Sequence, residues 1–151
     1  MIEAHDYHVT ITGRDAMTGI LRAPLNGLPE MAVASPPEFG GPEHSWSPEH
    51  LFVAAIASCL MTTFRSMAIQ SGIEVLDYAD QSTGHLQRGE DGLYSIDRVT
   101  LRPTVVIPWG SSPDRAHRLL EKAEKVCLIG RSVRSETILE ARILQRHQVG
   151  T

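Results

Sequence analysis

The chain has 151 residues, of which 42% are hydrophobic, 21% charged and 5% aromatic, a size and balance that fit one domain or two small halves sharing a core and exclude a disordered chain. No stretch repeats at a solenoid period, and 14 basic against 18 acidic residues, a formal charge of −4 without a Lys/Arg block, leave no electrostatic footprint for nucleic acid or an anionic membrane. The apolar run from Leu51 to Met61 is far shorter than the roughly 20 residues that span a bilayer, and the opening residues lack a signal pattern, so a soluble, cytoplasmic protein is expected.

Tyr7, Val9 and Ile11 alternate with His8, Thr10 and Thr12, which predicts a short first strand with one apolar face. Gly13-Arg14-Asp15 reads as a turn, Ile20-Leu21 as part of a second strand, and Asn26-Gly27 as a hairpin signal before a third strand near Met31 to Ala34. The segment 35–46, with three prolines and two glycines, is a loop of a length that is usually functional. Ser47-Pro48-Glu49 then opens a central helix over 47–71: Ser47 as N-cap, Pro48 at the first helical position, Glu49 at the positive end of the dipole, and Gly72 as the stop. Leu51 to Ala57 are apolar nearly all round, so the helix must be buried on most sides, and a chain of this size achieves that with a sheet on one face and a partner subunit on another.

Strands are expected within 73–108. One long strand is read across Val99, Leu101, Pro103, Val105 and Ile107, with Pro103 at an edge or a bulge. Ser112-Pro113-Asp114 repeats the cap-plus-proline start of a second helix over 112–129, which Gly130 interrupts, and a last strand is expected over 137–146. The order predicts an α+β fold in a single domain, 1–151, with a largely antiparallel sheet.

Cys59 lies in the middle of the first helix and Cys127 near the end of the second. They form neither a disulfide scaffold nor a CxxC pair, so they are either small core hydrophobes or a reactive pair. A reactive thiol needs a depressed pKa and partial access. Cys59 is too deep in its helix for the N-terminal dipole to help much, and it therefore needs a basic residue from elsewhere, Arg14 being one candidate.

The run Pro36-Pro37-Glu38-Phe39-Gly40-Gly41, followed by Trp46 to Leu60 with Pro48-Glu49 and Cys59, resembles the signature of the OsmC/Ohr family of osmotically inducible and organic hydroperoxide resistance proteins. The second cysteine of that family falls late in a second helix, where this chain has Val126-Cys127-Leu128-Ile129. The resemblance implies an OsmC-like fold, antiparallel sheets wrapped around two central helices in an intertwined homodimer. It also implies a thiol-dependent peroxidase that reduces organic hydroperoxides and is recycled by a thiol or lipoyl-protein reductant, with no metal or organic cofactor. By residue match, Cys59 would be the peroxidatic thiolate, Cys127 the resolving thiol, and Glu49 the partner of a catalytic arginine, Arg14 or, in reserve, Arg22. The chain departs from the hydroperoxide branch at Trp46-Ser47 and at Cys59-Leu60-Met61-Thr62-Thr63-Phe64, and so looks closer to the broader OsmC-like branch. Glu49 and Cys59 are separated by about 15 Å along one helix and by roughly 80° around it, so Glu49 reaches a Cys59 site most simply from the partner subunit.

Phe39, Trp46 and Phe52 are candidates to line an apolar substrate pocket, packing of the loop onto the helix being the plainer reading. His44 and His50 could be imagined with Cys59 as metal ligands, but their spacing is not a recognised one. Met61, Phe64 and Met67 read as core or dimer interface. Two other function classes compete: a non-catalytic dimeric module binding a small hydrophobic or thiol-bearing ligand, which has no need of Cys127, and a cysteine hydrolase, which would need a histidine base that no motif position supplies.

Overall fold

The computed structural model describes residues 4–147, and the chain divides into two compact units, residues 1–51 and 52–151. In the first unit, strands β1 (Thr10–Gly13), β2 (Thr18–Arg22) and β3 (Met31–Ala34) form an antiparallel sheet in the order β1-β2-β3. The expected turn at Gly13-Arg14-Asp15 closes because the Asp15 carboxylate accepts hydrogen bonds from the Met17 and Thr18 N–H groups at 2.9 and 3.0 Å. The Met17 N–H first, then the Thr18 hydroxyl and N–H and the nearby Arg14 charge, hold the Asp15 carboxyl below its usual range. Gly27 takes a positive φ of 60°, as the Asn-Gly signal requires. The first strand starts later than its alternation suggests, and Tyr7, Val9 and Ile11 are exposed, so the apolar face of that segment finds no cover within this unit.

The loop after β3 is ordered by local backbone bonds. Pro37–Phe39 form a single 3-10 turn, Gly40 closes it at φ 84°, and the Phe39 and Gly41 N–H groups both donate to the Pro36 carbonyl. Helix α1 (Pro48–Gln70) follows as its start signals dictate. Ser47 is buried and its hydroxyl accepts from the His50 N–H at 3.2 Å, satisfying one of the free donors at the helix start. At the other end Gly72 adopts φ 65°, which lets its N–H reach the Ile69 carbonyl and the Ile73 N–H reach the Ala68 carbonyl.

The second unit is built on that helix. Strands β4 (Asp77–Asp80), β5 (Thr83–Arg88), β6 (Tyr94–Leu101) and β7 (Pro103–Pro108) precede α2 (Pro113–Val126) and a short α3 (Leu128–Arg131), and β8 (Glu136–Leu139) and β9 (Arg142–Arg146) close the fold. They form two three-stranded sheets, β4-β7-β9 and β5-β6-β8. Ile56, Leu60, Phe64 and Ala68 form one stripe of α1 and meet Val99 and Leu101 of β6, Val105 and Ile107 of β7, and Ala116, Leu120 and Ala123 of α2. Each large side chain in this core contributes about 1.5–3 kcal/mol through burial.

Three expectations are corrected. The single strand across 99–107 is two strands in two sheets, because the backbone turns at Arg102, whose N–H leaves the ladder for the Asp80 carboxylate at 3.1 Å. Pro103 lies in the central strand of its sheet, not at an edge; it is tolerated there as the first residue, where a missing N–H costs no ladder bond. The last strand is likewise divided: β8 pairs parallel to β6 and β9 parallel to β7, so the antiparallel sheets carry parallel outer strands. The two crossings are tied together by the Glu140 N–H on the Leu101 carbonyl at 2.9 Å and by the Arg102 guanidinium on the Glu140 carboxylate at 3.0 Å.

Helix α2 also ends earlier than expected. The chain breaks at Cys127, with ψ 118°, and not at Gly130. By length and composition α1 is apolar enough to cross a membrane, because Phe64, Met67, Ala68 and Ile69 extend the apolar character beyond the run from Leu51 to Met61. Only the Ile56, Leu60, Phe64 and Ala68 stripe of it is buried, and Ile69 is 80% exposed.

Candidate functional site

Cys59 sits in the middle of α1, half-buried, on the flank of the helix next to the core stripe of Leu60 and Phe64. Cys127 is buried at the corner where α2 ends and α3 begins. The corner exists because Ser112 caps α2 through the Arg115 N–H at 3.2 Å, fixing the phase of the helix, and because Cys127 leaves helical geometry. Leu128 and Ile129, freed from the α2 ladder, then carry N–H groups at the start of a new turn. The structure therefore brings Cys59 and Cys127 together within the second unit, and both thiols are free.

The surroundings act on the two sulfurs in opposite directions. Burial opposes ionisation of Cys59, but the Cys127 thiol, the Ile129 N–H, the Thr63 hydroxyl and the Leu128 N–H outweigh it and hold the Cys59 thiol below the usual cysteine range. Burial, together with its hydrogen bond to Cys59, pushes the Cys127 thiol up to about 11. Ionisation is thus made easier at Cys59 and harder at Cys127. This is the polarity a nucleophile and a resolving partner require. The Thr63 hydroxyl stands 3.9 Å from the Cys59 sulfur, one helical turn on.

The remaining sequence candidates lie in other settings. Arg14 is exposed in the β1–β2 turn of the first unit, its N–H bonded to the Thr18 carbonyl at 2.9 Å. The Arg22 guanidinium is engaged by the Glu30 carboxylate. Glu49, in the first turn of α1, is half-buried, and its Oε2 is buried without a hydrogen-bond partner among the described residues. Phe39 ends the 3-10 turn, 43% exposed. Trp46 is bridged to Val33, stands edge-on to His50 at 6.3 Å, and lines a cleft of about 520 Å3 with Leu28, Met31 and His44. Phe52 packs against the core of the second unit. His50 bonds the Ser47 hydroxyl through Nδ1 at 2.7 Å, and exposed His44 lies 3.7 Å from the Glu43 carboxylate. Among the described residues, no three His, Cys, Asp or Glu side chains converge as a metal site would require.

The sequence profile of OsmC-like proteins matches residues 40–142, the stretch that carries both cysteines. The chain belongs to the OsmC-like protein family. Its relatives include YmaD of Bacillus subtilis, 30% identical over 112 residues that cover 72% of this chain and 74% of that protein. Among solved structures, an OsmC-like protein of unknown function from Vibrio cholerae superposes with a TM-score of 0.84 at 24% identity, covering 91% of this chain and 99% of that one. An organic hydroperoxide resistance protein from Elizabethkingia anophelis gives 0.76 at 22% identity, covering 97% of this chain and all of the other. The hydroperoxide resistance protein OhrB of Bacillus subtilis gives 0.65 at 21% identity, covering 91% and 98%. These likenesses establish the α+β OsmC-like fold.

Two contributors to the site of this OsmC-like protein escaped the sequence reading. The Leu128 and Ile129 N–H groups become available only because the helix breaks at Cys127, and no residue type announces that break. A third, Thr63, escaped it as well, although its spacing carried a signal: it stands four residues after Cys59 and so on the same helix face.

Proposed function

We propose that this OsmC-like protein is a thiol-dependent peroxidase that reduces organic hydroperoxides in defence against oxidative stress. The observation that carries the reading is the convergence of Cys59 and Cys127 with opposite titration: Cys59 held low, Cys127 pushed up to about 11. The names of the Elizabethkingia and Bacillus hydroperoxide resistance proteins support the same substrate class.

In the first step the Cys59 thiolate attacks the distal oxygen of the hydroperoxide. The S–O bond forms as the O–O bond breaks, and the leaving alkoxide takes a proton to become an alcohol. In the second step Cys127 attacks the sulfur of the Cys59 sulfenic acid, its thiol proton and the departing hydroxide leave as water, and a disulfide remains. A thiol or lipoyl-protein dithiol then supplies the two electrons that restore both thiols. In this reading Arg14 stabilises charge on the thiolate and the leaving oxygen, Glu49 orients its guanidinium, and Phe39, Trp46 and Phe52 supply apolar contact to the substrate. No metal or organic cofactor takes part.

The working form in this reading is an intertwined homodimer in which Glu49 serves the site of the other subunit. Two observations support it: the uncovered apolar surface of α1, and a buried Glu49 oxygen with no partner among the described residues. A buried carboxylate oxygen is costly until it is paired. The protein is read as soluble and cytoplasmic, consistent with two free thiols.

The test is a count of free thiols before and after one equivalent of an alkyl hydroperoxide. Loss of two thiols per chain, abolished by Cys59→Ser, supports the peroxidase; no loss in the wild type overturns it and leaves the non-catalytic binding module.

A further inference from the structure

Four hydroxyl side chains line α1 around and beyond Cys59, and three of them behave differently from the fourth. The Ser58 hydroxyl donates to the Ala55 carbonyl at 3.3 Å, the ordinary behaviour of serine in a helix. The Thr62 hydroxyl donates to two carbonyls, those of Ser58 and Cys59, each at 3.1 Å. Ser66 is exposed. Thr63 is half-buried, and among the described residues its hydroxyl meets a single partner, the Cys59 sulfur at 3.9 Å.

The distinction has a local cause. A helical threonine normally turns its hydroxyl back to the carbonyl three or four residues earlier. For Thr63 those carbonyls are Leu60 and Cys59; the second already accepts from Thr62, and among the described residues the Thr63 hydroxyl bonds neither. The Thr63 hydroxyl is thereby left for the side chain of Cys59 rather than for its backbone. A hydroxyl facing a neutral thiol at this distance interacts weakly, but facing a thiolate it becomes a charge-assisted donor.

We propose that Thr63 is a further functional residue of the site, its hydroxyl donating to the Cys59 sulfur so that the sulfur is held in place and its anionic form favoured. The inference rests on the reading of Cys59 as the attacking thiolate and adds a residue to that site. Thr63 acts from the same helix as the sulfur, whereas Cys127 acts from the α2–α3 corner, so the two donors reach the sulfur from separate elements. In its anionic form the donation also lowers the pKa of Cys59, in the direction the site displays.

The experiment follows alkylation of Cys59 by iodoacetamide as a function of pH, with the modified cysteine identified by mass spectrometry in the intact full-length protein. Thr63→Val keeps the shape and removes the donor. The midpoint of the rate profile is expected to rise by about half a pH unit to one unit, which at a pH below both midpoints slows alkylation roughly three- to ten-fold. Thr63→Ser restores the hydroxyl and is expected to bring the midpoint back toward that of the wild type. If Thr63→Val does not fold, Thr63→Ala is measured in its place. An unchanged midpoint in the hydroxyl-free variant, or failure of serine to restore it, overturns the inference. The outcome is separate from that of the peroxide test: a shifted midpoint in a protein that loses no thiols to hydroperoxide upholds the role of Thr63 while removing the peroxidase reading.

Discussion

Burial opposes ionisation of both thiols, and the interaction between Cys127, at the break between α2 and α3, and Cys59 lowers the pKa of Cys59 while raising that of Cys127. A symmetric pair of core thiols would carry no such polarity. The difference makes the two sulfurs experimentally separable.

In the proposed peroxidase, replacing Cys127 with alanine removes the resolving thiol and leaves the peroxidatic one. After one equivalent of an alkyl hydroperoxide, the expected product is a Cys59 sulfenic acid, trapped by dimedone and seen by mass spectrometry, in place of an intramolecular disulfide. A disulfide formed within the chain by this variant is impossible, so a dimedone-negative, still-reduced Cys59 would show that the oxidation never took place there.

Cys127 also couples folding to pH. Its folded-state pKa is raised from 9.0 to about 11. Between those values the native state keeps a proton that the unfolded chain has released, so unfolding free energy falls as pH rises. The contribution is full below pH 9 and lost as pH passes 11. Urea midpoints measured from pH 8 to 11 under reducing conditions are expected to decline more steeply for the wild type than for Cys127→Ala.

Arg14 and Glu49 are expected to affect turnover and not folding. On the proposed mechanism Arg14→Ala removes a donor to the charge that develops on the leaving oxygen, with an expected loss in kcat/KM of about 100- to 1000-fold. Glu49→Gln keeps the shape while weakening the hold on the guanidinium, with a smaller loss. Stopped-flow peroxide reduction together with thermal melts checks both. Equal turnover in Arg14→Ala and wild type removes Arg14 from the site.

The packing of α1 against β5 has a specific point of closest approach. A Cβ at Gly84 would lie 2.6 Å from Cγ2 of Val53. Gly84→Ala is expected to destabilise the protein by about 1–3 kcal/mol through overpacking. Adding Val53→Ala opens the space and is expected to recover part of that loss, as measured by chemical denaturation of the two single variants and the double.

Elements declared by local chemistry were legible without the fold. Ser47-Pro48-Glu49 and Ser112-Pro113-Asp114 start helices in the structure as capping chemistry requires, and Gly72 ends the first because it alone tolerates the left-handed turn there. Cys59 and Cys127 were legible as a pair through the resemblance, although their proximity was not. What the alternation of Val99 to Ile107 hid was the exit at Arg102, since a strand that changes sheets keeps its period while its N–H turns to a carboxylate 22 residues earlier. The same holds for the parallel pairing of β8 and β9, which depends on strands remote in sequence.

By itself the sequence determined the periods, the caps, the family and the identity of the two sulfurs, because these depend on neighbours within a few residues or on motif spacing. Only the tertiary structure decided that ionisation is easier at Cys59 than at Cys127. Acidity depends on which donors stand around a sulfur, and those donors, Cys127 and the Leu128 and Ile129 N–H groups, reach Cys59 from a helix corner more than sixty residues away in the chain.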